Sequence, residues 1–219
     1  MLTSLGHLDK SKLYTYADYL TWDFPQRVEL FLGNVFPMSP APNTRHQEVS
    51  AWLRFQFLDF FKHHPCRVIL APSDVILPGI NGAPQSVLQP DIVIVCDEGK
   101  IRERHCYGAP DLVVEILSKS TRKRDLNEKL SLYQSAGVRE YWVVDPVALS
   151  ISLFIPGHDG RYHRAAFAMR GEQITSLCFP RLIVETEFVF RNIVREPQSA
   201  YRLHRRKDLR MLNRKVVRI

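Results

Sequence analysis

The chain contains 219 residues, of which 45% are hydrophobic and 24% are charged, as expected for a globular protein with a well-formed core. No apolar stretch approaches the roughly 20 residues that a membrane-spanning helix needs, and the N-terminus lacks the apolar segment of a signal peptide. These features argue against a membrane protein and predict a soluble, cytoplasmic one.

The net charge of +7 is concentrated at the end of the chain. Residues 195–219 contain nine Lys and Arg against two acidic residues, and the rest of the chain is balanced. We therefore predict a single domain over residues 1–194, followed by a basic tail over 195–219. This tail could bind nucleic acid through its charge, or it could be a terminus without a dedicated role.

The cysteines indicate neither a zinc centre nor a disulfide framework. Cys66, Cys96, Cys106 and Cys178 form no CxxC pair and have no zinc-finger spacing. Because disulfides are rare in cytosolic proteins, we expect four reduced thiols.

The first part of the chain predicts two helices, a hairpin and a strand. Apolar residues recur at helical spacing after residue 45, and a Gly-Asn dipeptide separates two short apolar runs near residue 33. The predicted elements are a helix over 13–22, a hairpin over 27–38 that turns at Gly33 and Asn34, a helix over 45–63, and a strand over 67–78 kinked at Pro72.

The second part predicts buried strands separated by one helix. Two runs of consecutive β-branched and apolar residues are typical of strands buried on both faces. Asp125 and Glu128 have the spacing of a reciprocal helix N-cap, and Gly137 can end that helix. The predicted elements are strands over 90–96 and 111–117, a polar connection over 97–110 between them, a helix over 126–136, strands over 140–145 and 151–155, and short strands within 160–190.

This order of elements indicates an α/β (α+β) fold. Three consecutive strands favour an antiparallel meander, whereas the helix between residues 117 and 140 favours a parallel pair on either side of it. We therefore predict a mixed central sheet flanked by helices, with an N-terminal hairpin and extra C-terminal strands.

Each of the two buried runs contains one carboxylate. Asp91 opens QPDIVIV, and Glu115 lies in the middle of DLVVEIL, where it shares a strand face with Val113 and Leu117. A buried charge costs several kcal/mol unless a partner compensates it. Asp91 could simply be the first residue of a strand after Pro90, but Glu115 has no such explanation.

A lysine lies on the apolar side of the next helix. A rotation of 100° per residue places Lys129 in the same arc as Leu126, Leu130 and Tyr133. There it must either extend to solvent or meet an acid. The structural alternative to a functional site is therefore a buried ion pair between Lys129 and one of the two carboxylates.

Two carboxylates and a lysine are the residue types that metal-dependent phosphodiester hydrolysis requires. Mg²⁺ or Mn²⁺ polarises the phosphoryl group and prepares a water nucleophile, and Mg²⁺ is often held by one or two carboxylates plus water. A nearby lysine can position or deprotonate that water and offset charge in the transition state.

These residues resemble the PD-(D/E)XK nuclease superfamily and, more closely, the Uma family of restriction-endonuclease-like proteins. The resemblance extends over about residues 14–190, and the matching segments are VELFLGNVFPMSPAPNTRHQ, SDVILP, QPDIVIVCD, GAPDLVVEILSKST, DLNEKLSLYQSAGVREYWVVDP and FPRL. It implies a restriction-endonuclease-like αβββαβ core. The superfamily lysine falls on Leu117, and in Uma-like proteins the following helix supplies it instead, which corresponds to Lys129.

The resemblance also implies the metal ligands and the substrate. Asp91, Glu115 and the backbone carbonyl of Ile116 would hold Mg²⁺ or Mn²⁺, and the substrate would be DNA. Dimers are frequent in this superfamily, so a homodimer is an open alternative.

Four further residues are supporting candidates for the site. Glu29 and His46 lie in segments that match the family, and Asp74 lies in SDVILP. Gln89 precedes Asp91 by two residues and could orient water or substrate. Each also has a plain interpretation, as a solvated hairpin residue, a residue at a helix start, a turn residue and a loop residue respectively.

A basic loop follows the third core strand. SKSTRKR contributes Lys119, Arg122, Lys123 and Arg124, which could contact phosphates beside the site or could simply be solvated.

The sequence thus favours a metal-dependent endonuclease that hydrolyses DNA. Two alternatives stay open: a non-catalytic nucleic-acid-binding or regulatory module on a nuclease fold, and a metal hydrolase with a different substrate.

Overall fold

The computed structural model describes residues 3–38, 43–79 and 82–193, and the predicted basic tail lies outside these ranges. Thirteen strands are formed within them: β1 Val28–Phe31, β2 Asn34–Pro37, β3 Arg67–Leu70, β4 Asp74–Leu77, β5 Ser86–Leu88, β6 Ile92–Val95, β7 His105–Tyr107, β8 Leu112–Ile116, β9 Glu140–Asp145, β10 Ser150–Pro156, β11 Tyr162–Met169, β12 Gln173–Thr175 and β13 Ile183–Glu185. The α-helices in these ranges are α1 Tyr16–Tyr19, α2 Thr44–Phe61, α3 Arg122–Arg124, α4 Leu130–Ala136 and α5 Thr186–Val189. Asp125–Lys129 forms a π-helical turn that joins α3 to α4.

The larger sheet has six strands in the order β11-β10-β9-β8-β6-β3. Strands β3, β6 and β8 pair antiparallel, and β8 pairs parallel with β9 after the crossover through α3 and α4. The predicted meander, the parallel pair and the mixed sheet are therefore confirmed. None of the helices in the described residues is long and apolar enough to cross a bilayer.

Helices cover both faces of this sheet, so its central strands are buried on either side. On one face, α2 contributes Val49, Leu53, Phe57 and Phe61 to a core that also contains Trp142. On the other face, α4 packs its apolar residues against alternate residues of β6, β8 and β9. Because side chains alternate along a strand, the face of β8 that carries Glu115 is the one beneath α4.

A second sheet, with the order β2-β1-β5-β4-β7, completes the core around α4. Val75, Leu77 and Leu88 of this sheet belong to the same apolar cluster as Leu132 and Tyr133 of α4. The helix therefore packs against both sheets, which brings the N-terminal hairpin next to the centre of the larger sheet.

Several predicted elements differ in the structure. The hairpin turns at Leu32 and Gly33, both at positive φ, and Asn34 already belongs to β2. The predicted strand over 67–78 is two strands in different sheets, separated by the cis Ala71–Pro72 peptide. The polar connection over 97–110 contains β7, because Asp74–Ile76 offers a parallel edge to His105–Tyr107. The region over 160–190, predicted to contain only short strands, also contains the short helix α5 after β13.

The prediction of four reduced thiols is wrong for one pair. Cys66 and Cys96 form a disulfide, whereas Cys106 and Cys178 are free. The cause is strand register: Arg67 pairs with Val95 in the antiparallel β3–β6 ladder, so the residues just outside this pair face each other. A separation of 30 residues in sequence gives no indication of this proximity.

Glu140 is a buried structural carboxylate, and we expect Glu140→Ala to be strongly destabilising. Its Oε1 accepts from Trp142 Nε1 at 2.6 Å, and its Oε2 accepts from Ser176 Oγ at 2.9 Å and from Cys178 N at 2.6 Å. The variant leaves the buried Trp142 Nε1 and Ser176 Oγ and the half-buried Cys178 amide without this acceptor, so the free energy of unfolding measured with denaturant should fall by about 3 kcal/mol or more. Exposed Glu98→Ala is the control, and a loss from Glu140→Ala no larger than that of the control would contradict this assignment.

Candidate active site

The predicted site residues meet where β1, the start of β6, the end of β8 and the π-helical turn come together. Asp91 immediately precedes β6, Glu115 is the fourth residue of β8, and Lys129 ends the turn. Glu115 and Lys129 are 5% and 3% exposed, so both charges are removed from bulk water.

Glu115 and Lys129 are in direct contact. Lys129 Nζ lies 2.9 Å from Glu115 Oε1 and donates to it. The Tyr133 hydroxyl donates to the same oxygen at 2.8 Å. Within the described residues, both hydrogen bonds of Glu115 fall on Oε1, which leaves Oε2 for another ligand.

Lys129 also contacts two other carboxylates. Its Nζ is 3.0 Å from Glu29 Oε1 and 3.7 Å from Asp125 Oδ1. Glu29 is 4% exposed, so the interpretation as a solvated hairpin residue is wrong. The second sheet packs against the helix here and carries β1, with Glu29, into the core.

The predicted N-cap at Asp125 is also wrong. The helix begins three residues earlier, at Arg122, and the Asp125 side chain points inward and is 1% exposed. An i, i+4 spacing within the π-helical turn places Asp125 and Lys129 on the same side of the helix. Glu128, the predicted capping partner, is exposed and lies 3.8 Å from Arg124.

Asp91 is fixed beside Glu115 by the backbone of β8. Its Oδ2 accepts from the Ile116 amide at 2.7 Å, and its Oδ1 lies 3.3 Å from His46 Nε2. Burial alone lowers the pKa of His46, but the hydrogen bond and charge of Asp91, with the Ile116 carbonyl, raise it above its ordinary value. His46 therefore contacts both groups that are predicted to hold the metal with Glu115.

The remaining supporting candidates form a chain of hydrogen bonds that reaches the same cluster. The backbone amide of Gln89 donates to Glu29 Oε1 at 3.2 Å, and the side-chain amide of Gln89 donates to Asp74 Oδ1 at 2.7 Å. The Tyr19 hydroxyl donates to the other oxygen of Asp74 at 3.2 Å. Among the residues that the structure describes, Gln89 thus links Asp74 to Glu29, and Glu29 contacts Lys129.

The cluster carries more negative than positive charge. Burial raises the pKa of Glu115 well above its usual range, and the neighbouring carboxylates add to this against the opposing effect of Lys129. Burial would lower the pKa of Lys129, but the charges of Glu115, Glu29 and Asp125 raise it well above its ordinary value. The carboxylates around Lys129 stabilise its charged form. Because they outnumber it, the remaining negative charge can attract a second cation.

The donor chemistry of the site suits a hard divalent cation. Asp91, Glu115 and the Ile116 carbonyl offer oxygen ligands. Over residues 3–38, 43–79 and 82–193, no group of three or more His, Cys, Asp or Glu side chains has the arrangement of a metal centre. A divalent ion at Asp91, Glu115 and the Ile116 carbonyl would need water molecules to complete its coordination, as is common for Mg²⁺.

The predicted basic residues separate into two kinds. Arg122 donates to Asp145 at 2.6 Å, and Arg124 lies 3.5 Å from Glu29 and over the Phe36 ring. Lys119 and Lys123 are exposed. Arg122–Arg124 form the first turn of the helix, and Lys119 lies in the turn that precedes it.

Sequence reasoning missed two residues of the cluster. Asp125 was assigned to a cap, although its four-residue spacing from a buried lysine was a usable signal. Tyr133 was interpreted as a core aromatic; it is buried, and its hydroxyl also contacts Glu115. A cleft of about 760 Å³ also borders this helix, between residues 126–135 and the hairpin residues Phe31 and Leu32, and is lined by neither Asp91, Glu115 nor Lys129.

Comparison with solved structures identifies the class of fold. A crystal structure from Anabaena variabilis ATCC 29413, described as "a putative nuclease belonging to DUF820", superposes with a TM-score of 0.63. The match covers 81% of this chain and 98% of that one at 17% identity. The chain therefore has the fold of a nuclease-like protein, as predicted.

Comparison of sequences identifies the family. The family model Uma2, described as "Putative restriction endonuclease", matches residues 16–187. The chain therefore belongs to the Uma2 family. It is also similar to uncharacterized protein slr1290 of Synechocystis sp., with 28% identity over 146 residues that cover 65% of this chain and 74% of the relative.

Proposed function

We propose that this protein is a metal-dependent endonuclease that hydrolyses phosphodiester bonds of DNA. The proposal is supported by a buried lysine 2.9 Å from Glu115, by Asp91, which accepts from the amide of Ile116 next to Glu115, and by membership of the Uma2 family. Asp91, Glu115 and the Ile116 carbonyl would hold Mg²⁺ or Mn²⁺.

Each residue of the cluster has a distinct part in this proposal. The bound metal would supply Lewis-acid chemistry and an activated water. Asp91 is held in place by the Ile116 amide and by His46, so its orientation costs little to maintain. The Lys129 ammonium, fixed by Glu29 and Glu115, orients the attacking water and offsets charge on the phosphoryl oxygens.

The substrate assignment rests on the family and on the surface charge beside the cluster. Lys119 and Lys123 are exposed just before and within the first turn of the helix that carries Lys129, where they can contact phosphates. Arg122 and Arg124 are engaged by Asp145 and Glu29, so they contribute less to this role. A homodimer and a cytoplasmic location stay predictions.

We expect Asp91→Asn to abolish Mg²⁺- or Mn²⁺-dependent cleavage of plasmid and single-stranded DNA. The variant loses a metal ligand but keeps the shape of the side chain, so the fold should be retained. Gel assays with and without EDTA measure cleavage, and circular dichroism checks folding. Asp59→Asn, an exposed acid on α2, is the matched control.

Other outcomes distinguish the alternatives. DNA binding that weakens with salt but shows no metal dependence and no cleavage would favour a non-catalytic binding module. Metal binding without cleavage of any nucleic acid would favour a hydrolase with another substrate. Equal cleavage by Asp91→Asn and wild type would refute the assignment.

A further inference from the structure

Asp125 is a buried carboxylate without a hydrogen bond. Neither of its oxygens has a hydrogen-bond partner of ordinary geometry in the described part of the chain. The Thr121 hydroxyl is close enough to lower the pKa of Asp125, but burial outweighs this and the pKa is raised. The Thr121 hydroxyl oxygen accepts from the Ser118 amide at 3.2 Å and shares a second hydrogen bond with the Ser118 hydroxyl at 3.0 Å.

Asp125 shares the Lys129 ammonium with two other carboxylates. Lys129 Nζ lies 3.7 Å from Asp125, beyond hydrogen-bond range, and 2.9 and 3.0 Å from Glu115 and Glu29. The Asp125 charge therefore attracts the ammonium without holding it. Asp125 and Glu115 attract the same ammonium. The attraction by Asp125 therefore weakens the hold of Lys129 on the Glu115 carboxylate, for which the ammonium would compete with a divalent cation.

A residue with only a structural role would not need this charge. A buried carboxylate without a hydrogen bond destabilises a fold, and an uncharged residue of the same shape would be tolerated better. The π-helical turn that places Asp125 and Lys129 on the same side of the helix is itself a rare backbone feature, and such turns occur frequently at functional sites.

We propose that Asp125 is a positioning residue that shares the Lys129 ammonium and thereby leaves Glu115 available to a divalent cation. This inference rests on the proposed function, because it presumes that Glu115 is a metal ligand. Asp125 is assigned no contact with the metal or with DNA.

The test is a double-variant cycle of Mn²⁺ affinity, measured by isothermal titration calorimetry. The four proteins are wild type, Asp125→Asn, Lys129→Met and the double variant. In the wild-type background, Asp125→Asn should weaken Mn²⁺ binding by about 10-fold. In the Lys129→Met background the competing ammonium is absent, so the same substitution should weaken binding by no more than about 2- to 3-fold.

Controls separate this role from a purely structural one. Asp125→Asn should leave the melting temperature of the metal-free protein unchanged or raise it. Glu128→Gln, an exposed acid beside it on the same helix, should leave Mn²⁺ affinity unchanged. Where Lys129→Met does not fold, Lys129→Gln provides a second uncharged background.

The outcomes are distinct. Equal effects of Asp125→Asn in both backgrounds would show that its charge acts independently of Lys129 and would overturn the inference. Unchanged Mn²⁺ affinity in Asp125→Asn would overturn it as well. Absence of Mn²⁺ binding by the wild-type protein would refute the proposed function and the inference with it.

Discussion

Glu115→Gln is expected to lower metal-dependent DNA cleavage by more than about 10²-fold, because even residues that only support metal ligands contribute 10- to 100-fold. Glutamine keeps the shape of the side chain, and its amide oxygen can still accept from Lys129 and Tyr133. Burial already raises the pKa of Glu115, so an uncharged group at this position should be tolerated by the fold.

Single-turnover cleavage and a thermal unfolding curve together test this prediction. The control is Glu187→Gln, which removes an exposed acid paired with Arg170. Cleavage within about threefold of wild type would show that Glu115 only compensates Lys129. A collapse of the fold in Glu115→Gln would instead assign the residue to stability.

Lys129→Met is expected to have the largest effect on stability. It removes the cation that separates Glu29, Glu115 and Asp125, which are all buried. Breaking a buried ion pair by removing one partner typically costs about 3–5 kcal/mol. Lys62→Met, which removes an exposed pair with Asp59, should cost no more than about 1 kcal/mol.

The stability lost in Lys129→Met should increase as the pH rises. The pKa of Glu115 is raised in the folded state above its ordinary value of 4.5, and loss of the ammonium raises it further. Between 4.5 and that raised pKa, the folded protein binds more protons than the unfolded chain, so stability falls as pH rises.

Denaturant titrations without metal at pH 5 and pH 8 measure this dependence. Lys129→Met should lose more stability relative to wild type at pH 8 than at pH 5. A loss that is equal at both pH values would contradict the role of Lys129 as the counter-charge of the cluster.

Glu115 and Lys129 stand out in the sequence because each breaks a strong local pattern. Glu115 interrupts an apolar β-branched run, and Lys129 interrupts the apolar side of a helix. Such exceptions are informative since a buried charge needs a partner. The family resemblance added the pairing with Asp91.

The interpretation of polar residues near helix ends was less reliable. Asp125 has the spacing of an N-cap, but it lies inside the helix and beside Lys129. The local sequence is the same whether Asp125 caps the helix or faces inward as the i, i+4 partner of Lys129. The packing of the helix between two sheets distinguishes the two arrangements.

The sequence by itself therefore predicted the antiparallel meander, the parallel pair across the helical crossover and the burial of Glu115 and Lys129. These features depend on periodicity, which is local along the chain. The tertiary structure alone decided the second sheet, the entry of Glu29 into the cluster and the Cys66–Cys96 disulfide. These contacts join segments 30 or more residues apart through strand register and sheet packing, which no local pattern encodes.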